Sequence, residues 1–379
     1  MNRAEKRRQK KLAKKAASNA KLSKATIRSP GQQTQAIQES IDLALQHHAA
    51  GRLPEAESIY QQILQTDPNQ PVALNLLGAI AYQVGKHDTA VDLITKALTI
   101  QPDYAEAHGN LGNAFKELGC LDEAVASYHK VLAIKPDNAG AHSNLGAVLQ
   151  ELGRLDEAVA SCNKALIIKP DFAEAHSNLG NVLNDLGKLS ESVASYQKAL
   201  AIKPDFAEAH HNLGVALAAL GRHREAIGSF RRAIALRPRH AAALNGLGEA
   251  LILCGEPEEA EENFQAAIVA KPDFVAAHAN LGRVLTELGR AREAAEACHR
   301  ALALDSDHIP GFLHLAAALD WLVRPQGWTR RLDSSVSQVE QRAAQQQEVV
   351  AQAKEERWQA RAEQAEAELR DLRASYRQQ

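Results

Sequence analysis

Glycine recurs along this chain at an unbroken spacing of 34 residues. The glycines at this spacing are Gly51, Gly85, Gly119, Gly153, Gly187, Gly221, Gly255 and Gly289. A fixed period without insertions indicates a tandem array, in which each repeat contacts mainly its neighbours and no single large core is required. The period divides residues 37–308 into eight consecutive units.

Each unit carries the signals of two helices. The recurring glycine accepts a positive φ where the first helix ends, and a proline near the end of the unit stops the second helix. Between them the apolar residues follow a helical spacing, which gives no support to strands. An aspartate follows five of the prolines, and we expect it to cap the next helix. These aspartates are Asp103, Asp137, Asp171, Asp205 and Asp273.

One phrase repeats in phase with the period: AEAHGNLGN from residue 105, AEAHSNLGN from residue 173 and AEAHHNLGV from residue 207. A 34-residue helix pair of this kind resembles the tetratricopeptide repeat (TPR). The array is similar to that of O-linked N-acetylglucosamine transferases, without their catalytic domain. The resemblance implies an all-α fold: a right-handed α-solenoid of eight TPR helix pairs, with the first helix of each pair on the concave side, followed by a capping helix and a C-terminal helical tail.

The two ends of the chain differ from the array in composition. Residues 1–30 form a predicted basic, disordered tail, because residues 1–28 contain eleven lysines and arginines and one glutamate. This tail is either a solvated arm or an electrostatic attachment to nucleic acid, ribosomes or anionic lipid. Residues 309–324 are predicted to be a helix that caps the stack. Residues 334–379 are predicted to be a charged helix whose two offset heptad frames leave open both a self-associating coiled coil and a lone helix.

Nothing in the sequence nominates a catalytic or metal site. Cys162 and Cys298 occupy a position filled by aromatic residues in most other units, so we expect buried packing rather than disulfides or zinc ligands. His108, His142, His176, His210 and His278 occur once per unit, and we expect them to fill the seam between helices. No zinc-protease, phosphate-binding or nucleophile-elbow motif occurs. The sequence therefore predicts a non-enzymatic protein without cofactor or metal.

The sequence also predicts where the protein resides. No apolar stretch is long enough for a membrane span or a secretory signal, and the cysteine usage suits a reducing compartment. We therefore expect a cytoplasmic location. The basic leader resembles those of bacterial repeat proteins, which indicates a bacterial source.

Asparagine recurs at one position of the first helices, namely at Asn110, Asn144, Asn178, Asn212 and Asn280. Asparagine is unfavourable inside a helix, so its repetition calls for a reason. In the glycosyltransferases that the array resembles, the matching asparagines form a ladder that clamps substrate peptides, and the resemblance implies that role here. Common ancestry of the repeats would also account for the asparagines, and so would hydrogen bonds to the neighbouring helix.

We predict a non-catalytic protein–protein interaction scaffold that binds an extended peptide through these asparagines. The alternative is the substrate-recruiting arm of a glycosyltransferase or methyltransferase system whose catalytic domain is absent here. Nucleic acid is disfavoured as a partner because the array is acidic. The expected groove is polar and acidic in the middle and apolar around Val215 and Leu253, and Gly246 interrupts the ladder there.

Overall fold

The computed structural model describes residues 30–323, and within them it contains helices and no strand. The predicted all-α solenoid class is confirmed. None of the described helices is both long and apolar enough to cross a membrane. The predictions for residues 1–29 and 334–379 fall outside the described part of the chain. The helices are α1 Pro30–Ala49, α2 Leu53–Thr66, α3 Pro71–Gln83, α4 His87–Ile100, α5 Ala105–Glu117, α6 Leu121–Ile134, α7 Ala139–Glu151, α8 Leu155–Ile168, α9 Ala173–Asp185, α10 Leu189–Ile202, α11 Ala207–Ala219, α12 His223–Leu236, α13 Ala241–Leu253, α14 Pro257–Ala270, α15 Val275–Glu287, α16 Ala291–Leu304 and α17 Ile309–Val323.

Odd-numbered helices are the first helices of the repeats, and even-numbered helices are the second. From α3 to α17 the first helices begin every 34 residues. Only α1 departs from this rule, because it begins at Pro30, before the expected start of the first unit at residue 37. The division into eight units and the capping role of residues 309–324 stay predictions.

The turn between the two helices of a pair depends on the recurring glycine. In the third pair, Gly119 has φ +74°. The N–H of Gly119 donates to the carbonyl of Lys116, and the N–H of Cys120 donates to that of Phe115, each at 2.9 Å. These bonds satisfy carbonyls that the end of α5 leaves open. All eight glycines of the period have positive φ, as the sequence predicts.

The expected aspartate caps are wrong. Asp103 lies one residue before the cap position of α5, which Tyr104 occupies without a side-chain hydrogen bond to the helix. Phe172, Phe206 and Phe274 take the same place before α9, α11 and α15. The proline turn ends one residue later than expected, which leaves the carboxylate outside the helix. Capping side chains occur where the following residue is polar: Gln70 accepts from the N–H of Val72, Asn138 from Ala141 and His240 from Ala243.

The described helices form two compact units: unit one comprises α1–α13 and ends at Glu256, and unit two comprises α14–α17 and begins at Pro257. Within unit one, the first helices α3, α5, α7, α9 and α11 each pack against their own second helix and against the second helix before it. First helices also meet directly, at α3–α5, α7–α9, α9–α11 and α11–α13, whereas second helices make no comparable contacts there. The first helices of unit one therefore share the inner side of its stack, here called the first-helix face.

In the pairs from α3–α4 to α11–α12, and in α15–α16, the seam is built from glycine on the first helix and a large or soft residue on the second. A Cβ added to Gly112 would lie 2.9 Å from the ring of Tyr128, so only glycine allows this approach. Cys162 and Cys298 fill the equivalent place and are fully buried, which confirms them as packing residues. Burial raises the pKa of the Cys162 thiol to about 12.

Histidines of the first helices contact the preceding loop, and three of the five are buried while His108 and His210 are half-buried. Each one approaches the carbonyl oxygen of the proline six residues earlier through Nε2, at distances from 2.8 to 3.1 Å. The pairs are His108–Pro102, His142–Pro136, His176–Pro170, His210–Pro204 and His278–Pro272.

Candidate functional site

Four of the five asparagines lie on the first-helix face of unit one. Asn110, Asn144, Asn178 and Asn212 are the sixth residues of α5, α7, α9 and α11. Asn144 is exposed and the other three are partly exposed, so all four remain accessible from that face. Asn280 is the sixth residue of α15, in unit two, and is also partly exposed.

In unit one, each amide nitrogen of the four donates a hydrogen bond to the first helix of the preceding repeat. The Nδ2 atom of Asn110 donates to Oδ1 of Asn75 at 3.0 Å. Asn178 donates to Oγ of Ser143 at 3.0 Å. Bonds to the neighbouring helix, which the sequence pattern left open, are therefore present. They orient the carboxamides without burying them.

These bonds follow two alternating arrangements. In one, the Tyr128 hydroxyl donates to Oδ1 of Asn113 at 2.6 Å, and Asn144 donates to the same oxygen at 3.2 Å. The second copy lies two repeats further along: Tyr196 donates to Asn181 at 2.7 Å, and Asn212 donates to that oxygen at 2.9 Å. We call each a Tyr–Asn–Asn network.

The other arrangement occurs before the first network and again between the two, and it lacks the tyrosine of the second helix. At the tyrosine position stand Ile94 and Cys162, and the position of Asn113 and Asn181 is taken by alanine. The asparagine of the next repeat then donates one turn earlier, to Asn75 or Ser143. The ladder of unit one thus repeats every two units rather than every unit.

The side-chain oxygens of the four asparagines are available to a ligand. An asparagine side chain has two N–H donors and one oxygen with two lone pairs. Among the described residues, no hydrogen bond reaches Oδ1 of Asn110, Asn144, Asn178 or Asn212. The neighbouring helix accepts one hydrogen bond from each of Asn110, Asn144 and Asn212 and two from Asn178, and the oxygen of all four amides remains on an accessible side chain.

The charges on this face are distributed unevenly. Near its amino-terminal edge, the hydrogen bond from Lys135 lowers the pKa of Glu106. At its other edge, Lys116 pairs with Glu151 at 3.1 Å. Asp185 accepts a hydrogen bond from Nε2 of Gln150 at 2.6 Å and forms no ion pair with a described residue. The negative charge of Asp185 is therefore not compensated by a basic side chain in this part of the chain.

A shallow depression of about 290 Å³ lies on the face where α7, α9 and α11 meet. Among the described residues that line it, Asp185 is the one carboxylate and none is basic. Val215, which is 41% exposed, supplies an apolar edge. The lining is Gln150, Asn181, Asn184, Asp185, Tyr196, Asn212 and Val215.

The ladder is interrupted at Gly246 because an aromatic ring occupies the space. A Cβ on Gly246 would lie 2.7 Å from Cζ of Phe230. The ring of His211 packs beside Phe230 and lies 4.8 Å from that of His240. Burial, and then the nearby His240, lowers the pKa of His211 to about 4, so its ring is neutral at pH 7. This part of the face is therefore sealed by packing and offers no carboxamide.

The sequence pattern identified the asparagines but not the networks that hold them. The sequence predicts a polar middle for the groove, which includes Asn113 and Asn181, and assigns neither residue a specific partner. The sequence does contain a signal for these networks. Where the second helix carries Tyr128 or Tyr196, the first helix carries asparagine, and where it carries Ile94 or Cys162, the first helix carries alanine at that position. The contact itself depends on how closely the helices bring the hydroxyl to the amide.

Models of one repeat family match the array. Models described as TPR repeat or tetratricopeptide repeat match residues 47–108, 112–153, 151–187, 180–221, 207–240, 241–262 and 255–309, which together exceed half of the chain. No curated protein sequence matches significantly. The finer likeness to O-linked N-acetylglucosamine transferase arrays stays a prediction.

Several solved structures share the fold. The crystal structure of the APC/C hetero-tetramer Cut9–Hcn1 is 18% identical with a TM-score of 0.59, covering 70% of this chain and 52% of that one. This chain thus spans about half of that structure. A tetratricopeptide repeat protein from Parabacteroides merdae is 18% identical with a TM-score of 0.54, covering 66% of this chain and 99% of that one. YrrB, titled a TPR protein with an unusual peptide-binding site, is 27% identical with a TM-score of 0.40, covering 49% and 96%. The first two show the fold alone.

Proposed function

This chain belongs to the tetratricopeptide repeat proteins, and from that membership we propose that it is a non-catalytic scaffold that binds an extended segment of another protein on the first-helix face. TPR proteins bind protein or peptide partners. The observation that carries the proposal is the row of accessible carboxamides at Asn110, Asn144, Asn178 and Asn212, whose oxygens accept no hydrogen bond from the described residues.

The carboxamides suit recognition of a peptide main chain. Each amide is held by the preceding repeat, so little side-chain freedom is lost when a ligand binds. Adjacent packed helices lie roughly 10 Å apart, and an extended chain advances about 3.3 Å per residue, so a peptide would meet one asparagine about every three residues. Main-chain recognition of this kind depends weakly on the ligand's side chains.

The ligand's side chains would be selected mainly at the depression beside the second Tyr–Asn–Asn network. Asp185 supplies a negative charge there, and Val215 supplies an apolar edge. A ligand with a basic or neutral polar residue next to an apolar one fits this lining, whereas an acidic residue would meet repulsion. Asn280, in unit two, is proposed as a further contact of the same kind.

Replacing two ladder residues tests the proposal. The probe is a positional-scanning array of capped decapeptides, and the best binders are titrated with the full-length chain by fluorescence anisotropy. We expect Asn178→Ala with Asn212→Ala to weaken binding roughly 5- to 150-fold, because each lost hydrogen bond contributes about 0.5–1.5 kcal/mol. Asn163→Ala is the matched control, because Asn163 is an exposed asparagine on the second helix α8.

Backbone methylation of the best peptide distinguishes main-chain recognition from side-chain recognition. Methylating alternate peptide nitrogens removes donors for the asparagine oxygens, so we expect a loss of binding that alanine substitution does not produce except at the peptide residues that face the depression. If no array peptide binds, or if the double variant keeps its affinity while its circular dichroism is unchanged, the ladder is not the binding site. The alternative of a recruiting arm for an absent catalytic domain stays a prediction of the sequence.

A further inference from the structure

Helix α17 occupies the place of a first helix that has no second helix among the described residues. It begins 34 residues after α15 and packs against both α15 and α16, as α5, α9, α11 and α13 pack against the pair before them. In the first helices from α3 to α15, the eighth residue is a buried glycine such as Gly282, which faces Cys298. In α17 the eighth residue is Ala316, and it is exposed.

An apolar stripe runs along the exposed side of α17. Counted from Ile309, its residues follow after three, four, seven and ten positions, which places them on one side of a helix. Four of them are large: Ile309 is 57% exposed, Phe312 53%, Leu313 38% and Leu319 46%. Gly311 and Ala318, on the opposite side, are buried against the preceding pair. The stripe is Ile309, Phe312, Leu313, Ala316 and Leu319.

The equivalent stripe of α15 shows what normally covers such a surface. Its residues His278, Ala279 and Leu285 are 4%, 0% and 3% exposed, and Leu285 clusters with Ala294 and Ala297 of α16. The stripe of α17 is therefore the surface on which a second helix would pack. Leaving large apolar residues in water along a whole helix face is unfavourable, at roughly 25 cal/mol per Å².

The chain continues directly from this helix with a segment suited to cover the stripe. Residues 324–333 contain Pro325 and Gly327, which are turn signals, and neither residue type recurs later in the chain. Val336, Val339, Ala343 and Val350 follow at heptad spacing between charged and amide residues. Ten extended residues span about 33 Å, which exceeds the roughly 10 Å between packed helix axes.

We propose that α17 is the first helix of an unfinished last repeat and that residues 334–353 of the same chain bind its apolar stripe as a substitute second helix. The short connection favours the chain's own segment over a second copy, because it holds the segment at an effective concentration of about millimolar. The stripe carries no charge, which matches the small apolar residues of that segment. This inference is independent of the peptide-binding proposal.

Hydrogen exchange of the full-length chain, followed by mass spectrometry, tests the proposal. We expect backbone amides in residues 334–353 to exchange at least tenfold more slowly than an unstructured chain. Leu313→Glu places a charge in the stripe and should restore fast exchange in that segment. Val269→Glu is the matched control, because Val269 is 80% exposed on α14 in the same unit but lies outside the stripe. Leu319→Glu provides a second variant if Leu313→Glu alters the fold.

The outcomes are decisive in both directions. Protection that is lost in both stripe variants, kept in the control and constant from 1 to 100 μM protein supports binding within one chain. Protection that rises with concentration together with dimer formation in sedimentation velocity assigns the stripe to a second copy and overturns the proposal. Unprotected amides in the unmodified protein, or protection that both stripe variants leave intact, also overturn it.

Discussion

Single residues decide where the asparagine ladder of unit one continues and where it stops. A tyrosine hydroxyl orients Asn181, whose oxygen then receives the amide of Asn212. One repeat later, Phe230 has no hydroxyl, and Val215 replaces the asparagine acceptor. The Phe230 ring instead fills the space beneath Gly246. The repeat with Tyr196 and Asn181 therefore presents accessible carboxamides, whereas the next repeat, with Phe230 and Val215, is sealed by packing.

This difference predicts that removing the hydroxyl from Tyr196 and adding one to Phe230 both destabilise the protein, by different amounts. Tyr196→Phe removes one hydrogen bond and should lower the free energy of unfolding by about 0.5–1.5 kcal/mol. Phe230→Tyr should cost more, about 1–3 kcal/mol, because the new hydroxyl meets the backbone at Gly246 and has no asparagine acceptor. Urea denaturation followed by circular dichroism measures both changes. A Phe230→Tyr variant as stable as the parent would contradict the assignment.

At the scale of elements, the loop between repeats is held from within the following helix. The histidine at the fourth position of a first helix contacts the carbonyl oxygen of the proline in the preceding loop, as His176 contacts Pro170. The preceding helix has already ended at this proline, so it offers no N–H to that oxygen. The same side chain is buried in α7, α9 and α15 and half-buried in α5 and α11. One histidine therefore ties the start of each of these helices to the loop before it.

How deeply each histidine is buried predicts how much stability the protein loses when that histidine is replaced by alanine. His176 is 9% exposed, and His176→Ala should destabilise the protein by about 1–3 kcal/mol because it leaves a cavity and an unpaired Pro170 carbonyl. His210, which is more exposed, makes the same bond, and His210→Ala should cost under about 1 kcal/mol because water replaces the imidazole. Equal shifts in the urea midpoint would show that the bond, rather than burial, dominates.

At the scale of the whole molecule, stability is distributed along a series of seams. The apolar residues form separate local clusters, such as the one that joins Tyr128, Leu145 and Val182 across neighbouring repeats. Each cluster depends on adjacent helices only. A repeat array of this kind behaves as a sum of repeat stabilities and nearest-neighbour interfaces.

A cavity in one seam should therefore act locally. Val182, on α9, is fully buried. We expect Val182→Ala to speed amide hydrogen exchange in α6, α7, α8 and α9, whose residues share its cluster, and to leave α1–α4 unchanged. Val215→Ala, at an exposed position of α11, is the control. Uniformly faster exchange throughout the described helices would indicate one cooperative core instead.

The sequence by itself determined the repeat period, the helix pairs, the glycines with positive φ and the buried cysteines. These features depend on local rules: Gly119 must tolerate a positive φ, and Cys162 replaces an aromatic residue at a position defined by the period. The positions of the ladder asparagines were also evident from the sequence.

Only the tertiary structure decided what those asparagines contact and what α17 leaves open. The Tyr–Asn–Asn networks join side chains from three helices, and their distances depend on how closely the helices pack, which no local pattern encodes. The aspartate caps failed for a related reason, since one residue of difference in the turn moved Asp103 away from the amides. The exposure of Phe312 likewise depends on whether a second helix covers it, which is a property of packing rather than of sequence spacing.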